Sequence, residues 1–266
     1  MKLATYRFDD GVRVGRVEGE TVVDLGRREP LADLLGQRLE GDGPRVPIDP
    51  ARLCAPIPHP PAFIGVGLNY RDHARETGRT LGATPAVFAK GQGAVAPPFG
   101  TLSSRFASLD YEGELGVVIG RRCHRVGAAA AADYIAGYVV VNDVTVRELV
   151  TPDTVMLGKG GVGHGPVGPW LTTADAVADP HALTITTHVN GEVRQASTTA
   201  ELHVGVFDLV AWLSAALVLE PGTVIATGSP GGSGAGFAPP RWLVPGEVVR
   251  VEIGGLGHIE QRVVAA

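Results

Sequence analysis

Polar and apolar positions alternate with a period of two along residues 1–26. The β-prone runs Lys2–Phe8, Arg13–Glu18 and Thr21–Leu25, separated by the turn signals Asp9-Asp10-Gly11 and Gly19-Glu20, predict a strand meander. Pro30–Gln37 has room for two helical turns. Four prolines then crowd into Pro56–Pro61, a density that neither a helix nor a central strand tolerates. The pattern predicts a small N-terminal module over residues 1–55 and a main domain over 56–266.

Within the main domain, the apolar run Ala62–Val66 predicts a strand that leads through a loop into a helix at Asn69–Thr77. Further strands are predicted at Leu115–Ile119, Tyr138–Val141, Leu183–Val189, Val224–Ala226 and Val248–Ile253. One long amphipathic helix is predicted at Val204–Leu217. Its buried face would carry Val206, Leu209, Val210, Leu213 and Leu217, and Glu220-Pro221-Gly222 would end it. Helices are too few for repeated βαβ units, so the expected class is strand-rich α+β.

Composition narrows the function. The chain has 266 residues, 44% of them hydrophobic and 19% charged, which is globular and long enough for a substantial core. A formal charge of −5 leaves no basic excess for phosphates, so no nucleic-acid partner is expected. The two cysteines, Cys54 and Cys123, lie in no zinc spacing. The N-terminal residues lack the apolar run of a signal peptide, and no stretch is long and apolar enough for a membrane span. A cytoplasmic location with no membrane partner is therefore expected.

The segment Leu109–Ile119 (LDYEGELGVVI) carries the densest chemistry. Read as one strand, it puts Tyr111, Leu115, Val117 and Ile119 on an apolar face, with Asp110, Glu112 and Glu114 on the other. Such a row of acids is either a solvated strand face or a cation site; same-face carboxylates about 6–7 Å apart can reach one ion. The apolar strand Tyr138–Val141 runs into Asn142-Asp143, where Asp143 is either a third oxygen ligand or part of a turn. An all-carboxylate set suits Mg2+, Mn2+ or Ca2+ rather than zinc. His73 and Glu76 stand i, i+3 on the predicted helix, the spacing of a base and its orienting carboxylate, or of an ordinary surface pair. Lys159 lies in a glycine-dense run that lacks the Ser/Thr of a phosphate loop. The glycine-rich run Gly228–Gly234 predicts a mobile loop.

In order along the chain, Gly67-Leu68-Asn69-Tyr70 with His73 and Glu76, Phe88-Ala89-Lys90, Asp110-Tyr111-Glu112-Gly113-Glu114-Leu115, Asn142-Asp143-Val144-Thr145-Val146-Arg147, Lys159 with Gly165–Trp170, Asn190-Gly191-Glu192-Val193, Leu219–Gly222 and Thr227-Gly228-Ser229-Pro230 resemble the fumarylacetoacetate hydrolase family. The resemblance implies a mixed β-sandwich roll and a homodimer. It implies a divalent ion, Mg2+ first, held by Glu112, Glu114 and Asp143. His73, Glu76 and Lys159 become catalytic positions; Arg147, Lys90, Thr227 and Tyr70 become substrate-binding ones. The implied activity is hydrolytic carbon–carbon cleavage of a 1,3-dicarbonyl or 2,4-dioxo acid. Alternatives are a decarboxylase, tautomerase or other isomerase on the same scaffold, and a non-catalytic ligand-binding homologue. Two positions depart from the family pattern: Val150 replaces a glutamine, and Gly160–Gly163 replaces a more polar stretch after Lys159.

Overall fold

The computed structural model describes residues 1–266. A 12-stranded mixed sheet runs through the molecule. From one edge its strands are Arg45–Pro47, Thr21–Arg27, Gly11–Glu18, Lys2–Phe8, Gly165–Thr173, Ile135–Asn142, Gly113–Ile119, Val224–Ala226, Phe63–Gly67 and Ala86–Lys90, with Leu53–Cys54 and Val95–Ala96 as side branches. A second, five-stranded sheet runs in the order Glu192–Thr198, Thr184–Val189, Val248–Ile253, Gly257–Val264 and Phe99–Ser103. The fold is strand-rich α+β, as the pattern predicts.

The N-terminal meander forms, and it joins the large sheet edge to edge: Leu3 pairs with Leu171, and Leu3, Val14 and Leu25 pack with Val118, Val139 and Val141. Strand Gly113–Ile119 is buried on both faces. Leu115, Val117 and Ile119 pack beneath Val206, Leu209, Val210 and Leu213 of helix Val206–Ala216, while Val118 faces the N-terminal side. A strand covered on both faces reads as a continuous apolar run. Leu217, expected on the helix's buried face, lies past its end in extended backbone and is exposed.

Strand Gly165–Thr173 has no counterpart among the predicted strands, because its two prolines argue against a central position. The structure accommodates Pro169 where the register against Ile135–Asn142 slips, between Tyr138↔Thr172 and Val140↔Gly168, so no ladder N–H is needed there. No helix of the structure is long and apolar enough to cross a membrane.

Candidate metal centre and active site

The acids are gathered by register. Strands Gly113–Ile119 and Ile135–Asn142 pair antiparallel with Gly113 opposite Asn142, so Glu112 and Asp143 flank the same end, and Asp143 N donates to Glu112 O at 2.8 Å. Asn142 Oδ1 accepts from Glu112 N at 3.1 Å, and Gln195 Oε1 accepts from Gly113 N at 2.9 Å, which pins the bend before the strand. Gly113 has no room for a side chain: a Cβ there would lie 2.4 Å from Thr187 Oγ1 and 2.8 Å from Val251 Cγ1. One oxygen each from Glu112, Glu114 and Asp143 lies within 4.8 Å of the others, and all three residues are buried. The solvated-face reading of this segment is thereby excluded.

Asp110 corrects the single-strand reading. The chain bends at Tyr111–Glu112, and Leu109–Asp110 pairs instead with Thr145–Val146. Asp110 accepts from Gly234 N at 2.7 Å, Ala235 N at 3.1 Å and Arg147 Nε at 2.8 Å, which makes it a loop anchor apart from the triad.

Three basic side chains face these acids. Lys159, the last residue of the short helix Val155–Lys159, donates through Nζ to Asp143 Oδ2 at 2.8 Å and to Glu112 Oε2. Lys90 Nζ, at the end of an edge strand, donates to Asp143 Oδ1. Arg147 bonds Asp110 through Nε and Glu112 Oε1 through Nη2 at 2.6 Å. Burial alone would raise Glu112, but Arg147 and Lys159 outweigh it and hold this carboxyl well below its usual range. Glu114 moves the other way. Burial, then the charges of Asp143 and Glu112, push it well above its ordinary value, and its one polar partner is Gly228 N at 2.9 Å. Burial depresses Lys159, yet Asp143 and Glu112 more than compensate and hold it above the ordinary lysine value.

The donor set fits a hard divalent cation. Glu112 and Asp143 are paired with Arg147, Lys159 and Lys90, whereas Glu114 has no cationic partner, so it is the acid whose ionised form a bound cation would stabilise most. All three candidate ligands are carboxylate oxygens, with no sulfur or imidazole among them.

The loop Gly228–Ala235 links this cluster to the His73–Glu76 pair, and it is held rather than mobile, because acids take its backbone N–H groups. Gly228 and Gly234 bond Glu114 and Asp110; Gly232 N donates to Glu76 Oε1 at 2.9 Å. On helix Arg71–Thr77, His73 Nδ1 donates to Glu76 Oε2 at 3.1 Å. Asp72 anchors the helix, accepting from Ser197 Oγ and from Gly231 N at 3.4 Å.

Two remaining positions are less open to a substrate. Thr227 is buried, and its hydroxyl donates to Leu115 O at 2.9 Å. Tyr70 is fully buried with its hydroxyl unpaired, and burial together with the charges of Glu114 and Asp72 pushes that hydroxyl up. Sequence reasoning passed over Asp72, Asn142 as a brace, and Gln195, which also donates to Ser229 Oγ at 2.8 Å and Pro230 O at 2.9 Å. Asp72 and Asn142 lie inside motif segments; Gln195 carries no local signal, since its partners are distant in sequence.

Buried carboxylates disposed for a hard cation, at the ends of two paired central strands with a His–Glu pair tied to the same loop, define a class of candidate metal-dependent enzymes. The family model described as fumarylacetoacetate (FAA) hydrolase C-terminal matches residues 62–264, and the chain belongs to this family. A Burkholderia cenocepacia protein provisionally named a hydrolase is 43% identical over 279 residues, covering 98% of each chain. The structure of fumarylacetoacetate hydrolase from psychrophilic Exiguobacterium antarcticum superposes with a TM-score of 0.91 at 34% identity, covering 100% of both chains. That of 5-carboxymethyl-2-hydroxymuconate delta-isomerase from Mycobacterium smegmatis superposes with a TM-score of 0.85 at 32% identity, again over 100% of both.

Proposed function

We propose that this chain is a divalent-cation-dependent hydrolase that cleaves a carbon–carbon bond in a 1,3-dicarbonyl or 2,4-dioxo acid. The observation that carries the reading is the shared loop: Gly228 N bonds Glu114 of the acid triad, and Gly232 N bonds Glu76 of the dyad. Glu112, Glu114 and Asp143 would hold the cation, with Mg2+ the first choice and Mn2+ or Ca2+ also suited to the all-oxygen set. Bound there, it supplies a Lewis acid to the dicarbonyl oxygens and a template for their orientation.

The chain's own groups do the remaining work. Glu76 holds the proton on His73 Nδ1, leaving Nε2 as the base that takes a proton from the attacking water. Lys159, held cationic by Asp143 and Glu112, offers an N–H to an oxyanion forming at the attacked carbonyl. Arg147 supplies positive charge on the Asp110 side for a substrate carboxylate, while Lys90 secures Asp143 from behind. Tyr70 and Thr227 flank the site. The assembly we propose is a homodimer acting on a small-molecule substrate.

An isomerase reading is favoured by the likeness to the Mycobacterium smegmatis isomerase; it and a decarboxylase reading on the same scaffold need no water-activating base. A proton NMR time course with acetylpyruvate and oxaloacetate, with Mg2+ or with chelator, separates the readings. Chelator-sensitive formation of pyruvate and acetate from acetylpyruvate and water supports hydrolysis, and His73→Ala should abolish it. Pyruvate and carbon dioxide from oxaloacetate, surviving His73→Ala, would replace the hydrolase reading.

A further inference from the structure

Beyond the acid triad, the structure shows a second, smaller receptor for a carboxylate. Gly231, Gly232 and Gly236 surround the Glu76 head group. A Cβ added at Gly236 would lie 2.8 Å from Glu76 Cδ and Oε1 and 2.9 Å from Oε2; one at Gly231 would lie 3.1 Å from Oε2. Gly232 has φ +94, and a Cβ there would lie 2.0 Å from Arg194 O, so only glycine can make this turn and aim its N–H at Glu76 Oε1. Glu76 Oε2 remains for His73 Nδ1. We propose that these three glycines form a carboxylate cradle that positions Glu76 and, through it, fixes the tautomer of His73. The inference rests on the proposed role of the His73–Glu76 dyad.

The arrangement divides the labour between the two oxygens of one carboxylate. Gly232 N–H fixes Oε1 and so sets the head group's rotation about its last torsion. Oε2 then presents toward the imidazole. The helix alone cannot do this, because a Glu side chain at i+3 keeps rotamer freedom that a surface pair does not remove. Tyr111 Oη steadies the cradle from behind by donating to Gly232 O at 3.0 Å, and Asp72 accepts from Gly231 N. Gly231, Gly232 and Gly236 are positioning residues.

Gly236 gives a clean test, since its backbone is not left-handed and the atoms a methyl group would meet are the movable end of Glu76. In Gly236→Ala the carboxylate swings out while the fold remains. The readout is the 15N–1H long-range spectrum of the histidine-labelled protein at pH 8.5, with the His73 signals assigned by their loss in His73→Gln. The wild type should show the Nδ1-protonated form of His73. Gly236→Ala should move it toward the Nε2-protonated form, as Glu76→Gln should by presenting a donor to Nδ1, whereas Gly127→Ala, with open space around its Cβ, should leave it unchanged. On acetylpyruvate, Gly236→Ala should lower kcat about 100-fold with KM nearly constant. An unshifted His73 tautomer in folded Gly236→Ala overturns the cradle. A shifted tautomer with unchanged kcat upholds the cradle and overturns the dyad's role as base. Should Gly236→Ala not fold, Gly231→Ala carries the same test at a gentler 3.1 Å approach: a smaller shift in the same direction supports the proposal and no shift overturns it.

Discussion

Arg147 Nε donates to Asp110 Oδ2 at 2.8 Å, and the same guanidinium reaches Glu112, so an acid outside the triad shares a cation with one inside it. In Asp110→Asn the guanidinium keeps Glu112 as its one ionised partner and competes there with a bound cation. Divalent-ion affinity measured by calorimetry should fall about 10–100-fold, as for loss of an outer-shell partner. Denaturant unfolding should register about 1–3 kcal/mol of lost stability, because the amide oxygen can still accept from Gly234 N while the amide nitrogen meets the Ala235 and Arg147 donors. Unaltered affinity would show that Arg147 does not couple Asp110 to the ion site.

Glu114 governs the pH dependence of ion binding. Burial and the neighbouring acids raise its pKa, so the ion-free fold favours its protonated form. That contribution to stability is complete at low pH and is lost as pH rises through the raised value, whereas a bound cation needs the ionised form. The Mg2+-induced rise in Tm should therefore grow as pH rises in the wild type. Glu114→Gln, which mimics the neutral carboxyl, should match the wild-type Tm without ion and gain nothing from Mg2+. A Mg2+ response in this variant equal to wild type would remove Glu114 from the ligand set.

Lys159 serves the folded state before any chemistry. Replacing it with Met leaves Glu112 and Asp143 facing each other without the ammonium that lies between them. Breaking a buried ion pair on one side costs about 3–5 kcal/mol. Lys159→Met should unfold at lower denaturant than wild type in chelator, and Mg2+ should recover a larger increment of stability than it gives the wild type. Equal increments in both proteins would argue against the ammonium and the cation sharing these oxygens.

Val150 faces the helix that bears Lys159. A Cβ on Gly158 would lie 2.3 Å from Val150 Cγ2, so the valine packs directly on the glycine and seats Val155–Lys159 against the site. A glutamine here, the residue of the family pattern, loses the branched methyl that packs on Gly158 and places a longer polar chain at this half-buried position. Val150→Gln should cost about 1–3 kcal/mol by chemical denaturation, and Val150→Ala should be milder. A Val150→Gln protein as stable as wild type would free this position to be read as a substrate contact.

How much of this was legible in the chain differs from element to element. Period-two alternation marked the N-terminal strands, and the apolar runs at Leu115–Ile119 and Tyr138–Val141 marked the central pair, because burial on both faces excludes polar side chains. Helix Val206–Ala216 showed in its 3.6-residue spacing. The segments holding Glu112, Glu114, Asp143, His73 and Glu76 were likewise visible, since each is a short local pattern. Other features were decided by contacts between residues remote in sequence. Antiparallel register brings Glu112 to Asp143, and a bend at Tyr111 sends Asp110 to a different pairing and a different task. The two prolines of Gly165–Thr173 concealed a central strand whose irregular register absorbs one of them. The run Gly228–Gly234 reads as a mobile linker because glycine content reports only the freedom of the backbone. Its N–H groups are in fact held by Glu114, Asp72, Glu76 and Asp110, and no local pattern encodes partners that only folding brings within hydrogen-bond reach.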